Sequence, residues 1–65
     1  MDTENIRYTS VKVEYGDSLE SISEKYNNIG ISNDEYIEHI MEMNGMDSNK
    51  VHPGCFILVS YKVDR

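Results

Sequence analysis
Val11-Lys12-Val13-Glu14-Tyr15-Gly16-Asp17-Ser18-Leu19-Glu20-Ser21-Ile22 changes from one backbone pattern to another within twelve residues. In its first part Val11 and Val13 alternate with Lys12 and Glu14, the period-two pattern of a half-buried strand. Gly16 then breaks the strand. Asp17 or Ser18 can cap a helix N-terminus, and Glu20 stands three residues after Asp17, as a capping box requires. Leu19, Ile22 and Tyr26 follow at three- and four-residue spacing, so a helix with a narrow apolar stripe begins here and ends at Asn27-Asn28.

Upstream, Ile6, Tyr8 and Thr9 continue the β-forming run, which predicts a strand over 6–15 behind the polar lead Met1–Asn5. Downstream, Ile29-Gly30-Ile31 connects to Ser32-Asn33-Asp34-Glu35, a second capping signature with acidic residues at the positive end of the helix dipole. The helix it starts carries Tyr36, Ile37, Ile40, Met41 and Met43 on one face and Glu35, Glu38, His39 and Glu42 mostly on the other. Met41 and Met43 read as core and Met46 as a loop residue. Asn44-Gly45 is a left-handed stop, 46–52 is a polar loop, and Pro53-Gly54 is a turn before a last strand, Phe56 to Val63. The expected fold is α+β in the order βααβ, a two-stranded antiparallel sheet covered on one face by two helices. One domain is expected over 8–63, with 1–7 as an N-terminal lead and strand extension.

Sixty-five residues suffice for one small core and leave little room for an enclosed substrate pocket. Twelve acidic against six basic side chains give a net charge of −6 with no basic patch, which argues against nucleic acid and anionic membranes. The single thiol, Cys55, cannot form an internal disulfide. Met1–Asn5 has neither a basic nor an apolar segment, and no apolar run is long enough to span a bilayer, so no signal peptide or membrane insertion is expected.

His52 and Cys55 have ligand-like spacing, with His39 as a third candidate, but a structural zinc site ordinarily needs four such ligands. Cys–His nucleophilic catalysis requires a cleft and oxyanion donors that so short a chain scarcely supplies. Glu35, Glu38 and Glu42 read as a solvated helix face, because nothing apolar surrounds them to move their protons. No enzyme, cofactor or metal is therefore expected. The irregular element is Phe56-Ile57-Leu58-Val59, apolar throughout where a sheet covered on one side should alternate. With Ile57, Val59, Tyr61 and Val63 inward, Phe56 and Leu58 face outward beside Lys12 and Glu14.

The series Val11–Leu19, Ile22-Ser23-Glu24-Lys25-Tyr26, Met43-Asn44-Gly45-Met46, Val51-His52-Pro53-Gly54 and Ile57-Leu58-Val59 resembles a LysM domain over roughly residues 11 to 60. It departs from the usual pattern at Glu20, Ser23, Cys55 and Ser60. The resemblance implies a βααβ fold and non-catalytic binding of N-acetylglucosamine-containing polymers, peptidoglycan or chitin, in a shallow groove. Carried onto this chain, the groove is Gly16, Asp17, Ser18 and Leu19 on one side and Met46, Asp47, Ser48, Asn49, Lys50, Val51 and Pro53 on the other.

Two uses follow. The first is a structural adaptor gripping a protein partner in a larger assembly, as in phage-tail or contractile tail-like baseplates that resemble this arrangement. It would be made in the cytoplasm and incorporated into the particle, with Ile6, Tyr8, Phe56, Leu58, Tyr61 and Val63 as contacts. The alternative is a cell-wall targeting module that binds the glycan, placed at the wall if cut from an exported precursor.

Overall fold
A computed structural model describes residues 5–63, so most of the polar lead lies outside the described residues. The element order is β1 (Ile6–Lys12), α1 (Leu19–Tyr26), α2 (Asn33–Met43) and β2 (Phe56–Lys62), the βααβ arrangement the patterning predicts. The strands form one antiparallel two-stranded sheet in the register Ile6↔Lys62 through Lys12↔Phe56.

Strand β1 is shorter than predicted. Beyond Lys12 only Val13 remains in the ladder, donating to the Cys55 carbonyl at 2.7 Å. Glu14–Asp17 is a turn closed by the Asp17 N–H on the Glu14 carbonyl, with Gly16 at φ 90, a conformation L side chains rarely adopt. Tyr15, read as strand, is therefore the turn's outward residue.

Ser18 caps α1, and its box partner is Ser21 rather than the acidic residue the spacing suggested. The Ser18 hydroxyl accepts from the Ser21 N–H at 3.1 Å, and the Ser21 hydroxyl accepts from the Ser18 N–H at 3.0 Å. Asp17 braces the same turn, accepting from the Glu14 N–H and the Ser21 hydroxyl. Ser32 caps α2 by accepting from the Glu35 N–H. At the other end of α2 the left-handed residue is Gly45, not Asn44. The Met46 N–H reaches the Met41 carbonyl at 2.9 Å and the Gly45 N–H reaches that of Glu42, a Schellman stop. This stop turns Met46 back onto the core, so Met46 packs there, whereas Met43 is only half-buried and stands outside the core cluster.

The core is Val13, Leu19, Ile22, Tyr36, Ile40, Ile57 and Val59, with Val11, Tyr26, Ile29, Ile31, Ile37, Met41, Met46 and Val51 packed around it. Each such burial contributes ~1.5–3 kcal/mol before entropy is subtracted. Helix packing centres on β2, and β1 contacts mainly β2. Cover of the sheet is consequently partial, because Val11 is the only aliphatic residue β1 turns inward. Arg7 to Ser10 are exposed on both faces of the ribbon. Phe56 and Leu58 point outward, 64% and 37% exposed, while Ile57 and Val59 are buried, as the alternation required.

The ladder bonds at Asn5/Val63 and Val13/Cys55 fix the parity of the sheet. Odd-numbered residues of β1 bond to β2, and the even-numbered backbone groups of both strands face away. On β2 these groups are occupied. The Asn44 carboxamide brackets Leu58, accepting from its N–H at 2.8 Å and donating to its carbonyl at 2.9 Å. Asn28 brackets Lys62 in the same way at 2.7 and 2.8 Å. Between them the buried Tyr36 hydroxyl donates to the Ser60 carbonyl. Three side chains thus stand where a third strand would.

Candidate functional site
Both connecting loops that flank the sheet lie at the end where β1 stops and β2 starts. The α2–β2 loop returns through a turn in which the Cys55 N–H donates to the His52 carbonyl, with Gly54 at φ 90. The Gly54 N–H bonds the Val13 carbonyl at 2.8 Å, so Val13 fastens the Pro53-Gly54 turn to the strand. Between this turn and the helix stop lies an open groove of about 230 Å³, lined by Val13, Asn44, Met46, Lys50, Val51, His52, Cys55, Phe56 and Ile57.

Of the eleven residues assigned to the groove, Met46, Lys50 and Val51 line this cavity. Asp47, Ser48, Asn49 and Pro53 are exposed on the same loop, and the Ser48 hydroxyl accepts from the Lys50 N–H. The opposite wall is differently built. Leu19 is fully buried as a core residue beneath the loop and offers no surface to a ligand. Gly16, Asp17 and Ser18 lie in the neighbouring β1–α1 loop and are absent from the lining, and the polar side chains of Asp17 and Ser18 are engaged in the cap network. Six lining residues escaped the assignment: Val13 and Ile57, read as strand core, Asn44, read as a helix stop, and His52, Cys55 and Phe56. The unbroken apolar run from Phe56 was the signal for the last.

The groove has an apolar floor from Val13, Ile57, Met46 and Val51, an aromatic rim at Phe56, and Lys50 and His52 as its basic residues without a carboxylate in the lining. Tyr15, 93% exposed at the tip of the adjacent turn, adds a second aromatic plate at this end of the molecule. Such a surface can hold a small neutral group by apolar contact and loop hydrogen bonds. The group whose proton affinity is moved lies elsewhere: burial pushes the Tyr36 phenol above its ordinary range, against the opposing effect of its bond to Ser60. Among the described residues no group of three or more His, Cys, Asp or Glu is placed to hold a metal ion, and the Cys55 thiol is free and exposed. No helix among them is long and apolar enough to cross a membrane.

Of the predicted protein contacts, Tyr8, Phe56 and Leu58 are exposed and Ile6, Tyr61 and Val63 are half-buried. A second open groove, about 280 Å³, lies between Thr9 and Tyr61 of the sheet and Lys25, Tyr26 and Asn28. Comparison with known proteins gives one match: the family model of the LysM domain covers residues 11–60 of the chain. No curated protein and no solved structure matches it.

Proposed function
The chain belongs to the LysM domain family, a family of binding modules, and on that footing we propose that it binds an N-acetylglucosamine-containing glycan in the groove between Met46 and Phe56. The observation that carries this reading is the composition of that groove: an apolar floor, free of carboxylates, beside a loop exposed at 47–50 and 52–55. An N-acetyl group needs both parts. Its methyl would rest on Met46 and Val51, its amide would bond loop backbone, and the Phe56 ring would cover an apolar sugar face. Gly16 to Ser18 and Tyr15 would extend the contact along a longer oligomer. The binding requires no bond to be made or broken.

The test is a titration of the isotopically labelled protein with chitin oligomers, followed by backbone amide shifts. Shifts concentrated in 46–56, and weakened by Val51→Asp with the fold intact, are the expected result. Unchanged spectra at saturating oligomer would refute the reading. The second reading, an adaptor in a phage-tail or baseplate assembly, draws on one observation, the exposure of Tyr8, Phe56 and Leu58. It ranks below the glycan reading because that exposure names no assembly, whereas the groove and the family point to the same ligand.

A further inference from the structure
The two edges of the sheet are unlike. The outer edge of β2 is occupied by Asn44, Tyr36 and Asn28, whereas the outward backbone groups of Ile6, Tyr8, Ser10 and Lys12 on β1 have no bonding partner among the described residues. Around that open edge Tyr8 is 58% exposed, Thr9 and Ser10 are exposed, and the Phe56/Leu58 face continues the apolar surface. An uncovered edge strand is a template for another strand.

We infer that the occupant is the β1 strand of a second copy of this chain, paired antiparallel about a two-fold axis at Thr9. In that register Ile6 faces Lys12, Tyr8 faces Ser10 and Arg7 faces Val11 of the second copy, so the outward groups at 6, 8, 10 and 12 all gain partners along the full strand. The charges permit it. β1 carries Arg7 and Lys12 and no acid, and the dyad sets the two Arg7 residues four positions apart along the seam, about 14 Å, and the two Lys12 residues about 20 Å. Both spacings exceed the screening length of ~8 Å at physiological ionic strength. The result is a four-stranded sheet in which the remaining outer edges are the two already closed by side chains. Association therefore stops at two, as an isologous contact must. The pair would present two copies of the loop groove, and a polymeric ligand would be held with the avidity of both.

The experiment is sedimentation equilibrium of the full chain up to about 1 mM, the range in which small transient interfaces associate. Dimer mass should grow with concentration, and more strongly as salt is raised, because each chain carries −6 overall. Ser10→Pro, tolerated where an edge N–H faces solvent, should keep the amide spectrum of the folded monomer and weaken association at least tenfold. In a Cys55→Ser background, Thr9→Cys should oxidise to a covalent dimer far faster than Ser10→Cys, since only position 9 meets itself across the axis. A wild-type chain that stays monomeric, association untouched by Ser10→Pro, or equal cross-linking at 9 and 10 would each overturn the inference. So would salt-sensitive binding of the peptide acetyl-(Glu-Val)3-amide to the Tyr8–Lys12 amides of a monomer, which would assign the edge to an acidic strand of another protein.

Discussion

Replacing Tyr36 with phenylalanine removes one oxygen from the centre of the molecule and leaves the ring where it is. The side chain is fully buried and its hydroxyl donates to the Ser60 carbonyl, on a residue only 6% exposed. The ring's apolar contacts survive, so the loss is the hydrogen bond together with the cost of leaving a poorly solvated carbonyl without its donor, about 1–2 kcal/mol. For a domain of this size that is a fall in Tm of roughly 5–15 °C. Urea unfolding at pH 7 followed by circular dichroism measures it.

A second readout comes from proton linkage. Burial raises the Tyr36 phenol above its value of 10.0 in the unfolded chain, so above that pH the unfolded state holds fewer protons than the native state. The stability contributed by the neutral phenol is complete below pH 10 and is lost as pH rises towards the native value. Wild type should therefore lose stability more steeply above pH 10 than Tyr36→Phe, and the difference between the two curves removes the background of the other four tyrosines. A change below about 0.5 kcal/mol at pH 7, or identical alkaline slopes, would refute the assignment of this hydroxyl as the donor that joins α2 to the sheet.

Ser23→Ala should stabilise the protein by about 1 kcal/mol, because the Ser23 hydroxyl is fully buried without a hydrogen-bond partner among the described residues and alanine removes the orphan without adding bulk; a lower urea midpoint would contradict this. Asn44→Ala should destabilise by about 1–2 kcal/mol through its bonds to Leu58 and the Ile40 carbonyl. Hydrogen exchange should then show the Leu58 amide losing protection while the Lys62 amide, held by Asn28, keeps it.

The local parts of the fold are legible in the chain because they are short-range. Val11/Val13 alternation, Ser18 and Ser32 as caps, Gly45 past the helix end and the Pro53-Gly54 turn each depend on neighbours within a few residues. Where two short-range signals competed, the sequence left a choice: Asp17 and Ser18 both fit a cap, and the structure uses the first to brace the turn and the second to start the helix. Met46 was read as a loop residue on the groove, where it lies, but its packing against the core was not legible because its direction follows from the Schellman bonds rather than from loop polarity. The roles of Asn28 and Asn44 were out of reach, since each acts across the fold, 34 and 14 residues along the chain, and an asparagine at a helix end has a sufficient local explanation. The groove was half legible. Its loop side follows from the family pattern, but burial of Leu19 and entry of Phe56 depend on how the sheet end is closed.

The clasp on Leu58 also sets how the protein ages. Asn44 precedes Gly45, a residue without a side chain to hinder attack of its backbone nitrogen on the asparagine carboxamide, and asparagine is among the thermolabile side chains. That attack expels ammonia and closes a cyclic imide, and water opening the ring leaves a carboxylate, as aspartate or as its backbone-extended isomer. One oxygen can still accept from the Leu58 N–H, but the group that donated to the Leu58 and Ile40 carbonyls becomes an anion facing two acceptors. A single covalent lesion, worth one unit of charge, would thus open the protected side of the sheet. Stored protein should drift towards lower isoelectric point and exposed strand edges together, and the three bonds that hold the carboxamide in place are what slow that drift.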